Sequence, residues 1–316
     1  MAQKCTETFR STFGAIDKQL LRWFPGHMDR GLKQMQQKLK MVDCIIEVHD
    51  ARIPFTGRNT NFKYTVSGIK PHVLVLNKVD MIEKRFLPLL QKRLRDENEH
   101  VLFTNCKDQS DSSIKKLFSL VQKLINSSDR YNREGDKDYN VMIIGVPNVG
   151  KSSLINKLRN IFLNRANAAA VGAAPGITRS VQTKIKICDD PLFFLFDTPG
   201  ITIPKVDNAE VWLKLALCAI VQDHLVGEPI IADYLLYWLN KQNKLNYVEA
   251  FNLEGATDDI LNVLVQIAKQ QNKVLKMRNT NNEYVIKPDL THAAKYVIKS
   301  FRNGTLGNIM LDEDLL

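Results

Sequence analysis

The stretch Val141-Met142-Ile143-Ile144-Gly145-Val146-Pro147-Asn148-Val149-Gly150-Lys151-Ser152-Ser153-Leu154 decides the fold of this chain. Four apolar residues read as a buried strand, Gly145-x-x-x-x-Gly150-Lys151-Ser152 as a tight turn, and Ser153 to Leu158 as the opening of a helix. A glycine-rich turn between strand and helix lets backbone N–H groups converge on a phosphate. The helix N-terminus adds its positive dipole end, and Lys151 supplies a point charge between the β- and γ-phosphates. The residues expected to line the phosphates are Pro147, Asn148, Val149, Gly150, Lys151, Ser152 and Ser153, with Ser152 also a magnesium ligand.

Working outward, Asn77-Lys78-Val79-Asp80 ends the strand-like run His72 to Leu76 and lies ahead of the phosphate loop. The Asp80 carboxylate can accept from both N1–H and the 2-amino group of guanine. Adenine lacks the N1–H and would leave the carboxylate unpaired, so such a site rejects it by a factor on the order of 10⁴ or more. The Lys78 stem can cover the base, and Asn77 can brace the phosphate loop. Thr104-Asn105-Cys106-Lys107 ends the next short strand, and a backbone N–H near Cys106 is positioned to meet guanine O6. Downstream, Pro175-Gly176-Ile177-Thr178 closes an Ala- and Gly-rich loop, which reads as mobile and as a switch, with Thr178 the candidate for a second magnesium ligand and an ordinary loop threonine its other reading. Asp197-Thr198-Pro199-Gly200 ends the apolar strand Leu192 to Phe196. Asp197 is expected to hold magnesium through water, and the Gly200 N–H to touch the γ-phosphate.

All five parts of a GTP site are thus present in an altered order. In a Ras-like GTPase the phosphate loop comes first and the base reader follows; here the domain is cut and rejoined elsewhere in the circle. The predicted elements are a helix over 30–40, strands 44–49 and 72–76, helix 83–95, strand 101–104, helix 113–126, and strands 141–144, 183–187 and 193–196. They define an α/β fold: a circularly permuted Ras-like P-loop GTPase domain with a six-stranded, mostly parallel sheet. The polar segment 127–138 reads as the splice that joins the old ends. After Pro204 the pattern is helical without strands, over 209–221, 232–240 and 258–270. The expected division is therefore 1–22 as a targeting or surface-helix segment, 23–204 as the GTPase domain and 205–316 as a smaller α-helical domain.

The formal net charge is +10, and it is uneven. Residues 205–316 hold roughly 12 basic and 14 acidic side chains, leaving about +12 for the first 204. Lys84-Arg85, Lys92-Arg93-Arg95 and Lys115-Lys116 in the first part are candidate contacts to a polyanion such as RNA. So is a local stretch in the second: Lys269, Lys273, Lys276, Arg278, Lys295, Lys299 and Arg302. Solvated helix faces are the plain alternative for each cluster. The five cysteines (Cys5, Cys44, Cys106, Cys188, Cys218) have neither zinc spacing nor a disulfide framework, which fits a reducing interior. The longest apolar runs are far too short to span a bilayer. In residues 1–22, Lys4, Arg10, Lys18 and Arg22 punctuate Phe9, Phe13, Ile16 and Leu20 at helical spacing, like a mitochondrial import segment, although Glu7 and Asp17 are atypical of one. A surface helix on the GTPase domain is the other reading.

Trp23-Phe24-Pro25-Gly26-His27-Met28, Asp50-Ala51-Arg52-Ile53-Pro54 with Arg58-Asn59, the permuted order and the helical tail together resemble the YlqF/RbgA family of large-subunit assembly GTPases. Val42 to Asp50, Thr104-Asn105-Cys106 and Ala232 to Tyr237 look like its mitochondrial branch. The resemblance implies a GTP-hydrolysing factor that acts late in assembly of the large subunit of the mitochondrial ribosome. It implies residence in the matrix, with possible peripheral association at the matrix face of the inner membrane, and a monomer off the ribosome. The near-neutral second half suggests that the main RNA contacts lie on the GTPase domain.

Ile201 stands where Ras-like enzymes carry a water-positioning glutamine, and it can neither donate nor accept a proton. The permutation is expected to bring the amino-terminal His27 close to Gly200, so His27 is the candidate to orient water; fixing the local turn is its other reading. Hydrolysis is thus expected to rest on His27, Lys151, Thr178 and Gly200. Asn148 resembles the asparagine that potassium-activated GTPases use to hold a monovalent ion, beside a purely loop-shaping alternative. The expected cofactors are Mg2+ and K+. Two other functions stay open: a GTP-dependent regulator of mitochondrial translation, and a module that binds GTP without hydrolysing it.

Overall fold

The computed structural model describes residues 9–14, 37–58, 70–96, 100–130, 133–164, 184–198, 208–278 and 284–316. Two compact units emerge: Arg22–Val221 with Ile309–Leu316, and Met1–Leu21 with Gln222–Asn308.

The first unit is built on strands β1 (Cys44–Asp50), β2 (His72–Asn77), β3 (Val101–Thr104), β4 (Tyr139–Ile144), β5 (Lys184–Cys188) and β6 (Phe193–Asp197). Their spatial order is β3-β2-β1-β4-β6-β5. Every pairing is parallel except β5 with β6, which places the antiparallel strand at one edge. β1 is buried throughout, as a central parallel strand covered on both faces must be. Helices α1 (Phe86–Arg95), α2 (Ser113–Asn126) and α3 (Lys151–Leu163) cross between strands. One core cluster joins Leu74, Leu76 and Val101 of the sheet to Phe86, Leu90 and Leu94 of α1, and also takes in Met310 from the chain's end. The expected six-stranded sheet is the sheet observed.

The splice is tied down by charge. Asp43, buried just ahead of β1, accepts from Arg130 (3.0 Å) and Arg133 (3.1 Å) and from the Asn140 backbone N–H (2.8 Å). The carboxylate is thereby satisfied where it would otherwise be buried and unpaired.

The boundary expected at 204/205 differs from the observed division. Helix α4 (Ala209–Leu217) groups with the sheet, because its buried Lys214 pairs with Asp312 (3.3 Å) and Asp314 (3.1 Å) of the returning tail. In the other unit, α5 (Asp223–Val226), α6 (Glu228–Lys241), α7 (Asn246–Ala250), α8 (Ile260–Gln270) and α9 (Leu290–Asn303) enclose Tyr234, Trp238 and Tyr247. The sequence reads this part as α-helical without strands, and the structure adds two strands to it. β7 (Val274–Arg278) and β8 (Tyr284–Pro288) form an antiparallel hairpin. β7 is exposed along its whole length, so it lacks the in-and-out alternation by which a half-buried strand is recognised.

Residues 9–14 are not helical. Arg10 forks onto Asp233 (2.8 Å) and pairs with Asp258 (3.3 Å), and Phe13 lies edge-on to Tyr234. A specific ionic and aromatic anchorage replaces the expected helix there. Among the described residues no helix is long and apolar enough to cross a membrane, and Cys44, Cys106, Cys188 and Cys218 are free thiols.

Candidate guanine-nucleotide site

β4 delivers the chain into the turn at Gly145, and α3 begins at Lys151. Both glycines are demanded by close approach. A Cβ at Gly145 (φ +146°) would sit 2.2 Å from the Val48 carbonyl oxygen, and one at Gly150 (φ +103°) 2.2 Å from Asn77 Nδ2. The side chain that excludes a Cβ at Gly150 therefore belongs to the base-reading motif.

Asn77, buried at the end of β2, is the clasp between the two halves of the site. Its Nδ2 donates to the Val149 carbonyl in the phosphate loop at 2.9 Å. Its Oδ1 accepts from Thr104 Oγ1 (3.3 Å) and from the Cys106 backbone N–H (3.2 Å). Three motifs spread over residues 77–149 thus converge on one amide. The Cys106 N–H, which the sequence reading directed at guanine O6, points at Asn77 Oδ1 here.

Lys78 adopts the left-handed conformation (φ 64°). Its Nζ donates to Asp50 Oδ2 (2.8 Å) and to the Asn148 carbonyl (2.6 Å), so it too spans base reader and phosphate loop. Asp50 receives a two-pronged contact from Arg52 (2.9 and 2.7 Å). Burial would raise the Asp50 carboxyl, but Arg52 and Lys78 outweigh it and hold the group well below the usual carboxylate range. Asp80 follows in a short 3-10 turn, Val79–Met81, with an exposed side chain.

On the phosphate side, Lys151 is buried and its Nζ donates to the carbonyls of Gly145 (3.0 Å) and Val146 (2.9 Å). Burial pulls its pKa from 10.5 down to about 8, against the opposing pull of Asp197. Asp197 is shifted upward, chiefly by burial, with Lys151 and the Thr198 N–H opposing. Its Oδ1 is buried without a hydrogen-bond partner, and Thr198 Oγ1 donates to the Ile143 carbonyl (2.6 Å). An orphaned carboxylate oxygen beside a phosphate loop fits a divalent cation. Among the described residues no group of three or more His, Cys, Asp or Glu side chains forms a cage. This donor set suits magnesium, which keeps several waters and takes its other ligands from phosphates. Asp197 and Ser152 would be the protein's contribution.

Asn148 (φ 60°) donates its Nδ2 to the Ala219 carbonyl at 2.6 Å. This bond fixes the amide, so a potassium ligand here would be Oδ1. His27, Thr178 and Gly200 lie outside the described residues. Of the basic candidates, the side chains of Lys84, Lys92, Arg93, Arg95, Lys115, Lys116, Lys269, Lys273, Lys276, Arg278, Lys295 and Lys299 are exposed. Arg85 is paired with Glu83 (2.8 Å), and Arg302 grips Asp223 (2.6 Å), so the latter serves its own unit's packing. Sequence reasoning missed Ala219 as a partner of the phosphate loop, since a carbonyl contact leaves no signature in residue type.

The sheet order, the strand-to-helix phosphate loop and the guanine reader bonded to it define a P-loop GTPase with permuted motif order. A family model described as "50S ribosome-binding GTPase" matches residues 140–287 and leaves the base-reading half outside the match, as a cut between them requires. A mitochondrial GTPase 1 of Aedes aegypti is 54% identical, covering 98% of this chain and 99% of that one. A mitochondrial ribosome-associated GTPase 1 of Bos taurus is 48% identical over 98% and 93% of the two chains. GNP-bound YlqF from T. maritima shares the fold, with a TM-score of 0.57 at 19% identity over 89% of this chain and 97% of that one. The chain belongs to the mitochondrial GTPase 1 family, also named mitochondrial ribosome-associated GTPase 1.

Proposed function

We propose that this protein is a mitochondrial matrix GTPase that associates with the large subunit of the mitochondrial ribosome during assembly, and that its nucleotide state governs binding and release. The bond from Asn77 to the Val149 carbonyl carries the GTPase part of this reading, because it closes a guanine reader onto a phosphate loop. The names of relatives that span nearly the whole chain support the ribosomal and mitochondrial parts. The exposed basic side chains on α1 and α2 suit a polyanionic particle. Magnesium on Ser152, Thr178 and Asp197 would neutralise charge that develops on the phosphates. Within this chain, Lys151 supplies fixed positive charge, the Gly200 N–H meets the γ-phosphate, and His27 orients water in place of the missing glutamine. Potassium on Asn148 would add a further cation near the transferred group.

The test is sedimentation of mitochondrial extract with GDP or with a non-hydrolysable GTP analogue. The protein should ride with large-subunit particles in the analogue and leave them in GDP. Sedimentation apart from large-subunit particles in both conditions would reject the ribosomal assignment. Turnover of GTP by the purified protein decides between an enzyme and a passive nucleotide binder.

A further inference from the structure

The chain's last eight residues return to the sheet-bearing unit. They attach at two places next to the base reader. The Ile309 N–H donates to the Met81 carbonyl (2.9 Å), at the end of the turn that carries Asp80. The Leu311 N–H donates to the Arg52 carbonyl (2.8 Å), on the residue that clamps Asp50. Between these two points Met310 is fully buried in the core cluster that includes Leu76 and Ile82.

Asp312 completes the attachment. It is fully buried, and its carboxylate is surrounded by donors: the backbone N–H groups of Phe55 (2.9 Å) and Thr56 (2.8 Å), Thr56 Oγ1 (2.5 Å) and the ammonium of Lys214 (3.3 Å). Through these donors the buried carboxylate pins Phe55 and Thr56, because losing an N–H or hydroxyl donor leaves a buried carboxylate lone pair unsatisfied, and losing Lys214 leaves its charge unpaired. The loop continues through Arg52 to Asp50, from Asp50 to Lys78 Nζ, and from Lys78 to the Asn148 carbonyl.

From this contiguous set of contacts we infer that Asp312 is a positioning residue for guanine recognition. It fixes the loop that holds Lys78 and, through the tail, the turn that presents Asp80. The inference rests on the guanine-reading role of Asp80. Lys78 and Asp80 act on the base, so their misplacement weakens substrate and transition state alike. The signature is a raised KM with kcat retained.

The experiment measures GTP turnover and GDP affinity in the full-length protein for Asp312→Ala, Thr56→Val and Asp80→Asn, with thermal unfolding run on each. Asp312→Ala should raise KM for GTP and Kd for GDP about tenfold while kcat stays within about twofold, and Thr56→Val should give roughly a threefold rise. A folded Asp312→Ala protein with unchanged KM, or one that loses kcat at constant KM, would overturn the inference and leave the tail a structural strap. If Asp312→Ala does not fold, Thr56→Val decides: a raised KM supports the role and an unchanged one overturns it. Asp80→Asn separates the two levels. Should it leave base preference intact, the guanine-reading role itself fails, whatever the tail variants do.

Discussion

Truncating Asn77 to alanine removes one side chain and strips three motifs of their common partner. The Val149 carbonyl, almost wholly buried, loses the donor at 2.9 Å. The Cys106 N–H and the Thr104 hydroxyl lose their acceptor at 3.2 and 3.3 Å. A buried group left unsatisfied costs about 1–3 kcal/mol. The hydroxyl can rotate to another acceptor, and Cys106 is half-buried, so the carbonyl carries most of the loss and the sum falls at about 2–5 kcal/mol. That loss divides between the fold and the nucleotide site, because the orphaned carbonyl lies in the phosphate loop. Urea unfolding should show a lower midpoint at unchanged slope, and titration a GDP affinity at least about tenfold weaker, the equivalent of about 1.4 kcal/mol. Asn77→Asp keeps the acceptors but turns a carboxylate against the Val149 carbonyl, so it should bind GDP no better than the alanine variant. Stability and GDP affinity both within twofold of the parent would refute the clasp.

Three further outcomes follow from the site. Burial lowers the Lys151 pKa to about 8, so the unfolded chain holds more protons than the folded one between about 8 and the ordinary lysine value. Nucleotide-free protein should therefore gain thermal stability as pH rises through that window, while GDP affinity falls above pH 8; flat profiles in both would contradict a buried lysine that titrates there. Hydrolysis in potassium should exceed that in sodium, and Asn148→Ala should erase the difference; equal rates in the two salts would leave Asn148 as the residue that ties the loop to Ala219. His27→Ala should keep nucleotide affinity near normal while ribosome-stimulated turnover drops roughly 10²-fold. Full turnover in that variant would return His27 to a turn-shaping role.

Much of this architecture was legible because its signals are local. Alternation of apolar runs with helical periodicity located the strands of the large sheet, and the glycine spacing at 145–150 announced a turn that only glycine can make. What escaped notice depends on long-range partners. Arg10 looked like part of an import segment, yet its charge is answered by Asp233 and Asp258, over two hundred residues away. Asp312 stands beside Glu313 and Asp314 in the sequence with nothing to set it apart, and only the folded chain shows it buried against Lys214. The hairpin was missed because β7 is exposed on both faces and so presents no periodic burial. The cluster Asn279-Thr280-Asn281-Asn282, between Val274–Arg278 and Tyr284–Pro288, was the turn signal that could have found it. For the base reader, residue type named the motif, while its bond to a loop some seventy residues later required the sheet order that sets β2 two strands from β4.

The central claim is that a base reader and a phosphate loop in inverted order form a single guanine site. Asp80→Asn tests it most directly, through paired titrations with GDP and xanthosine diphosphate. The amide can donate where the carboxylate could only accept, so affinity should pass from guanine to xanthine while the phosphate loop stays intact. Unchanged preference for GDP would place Asp80 outside the site and contradict the account.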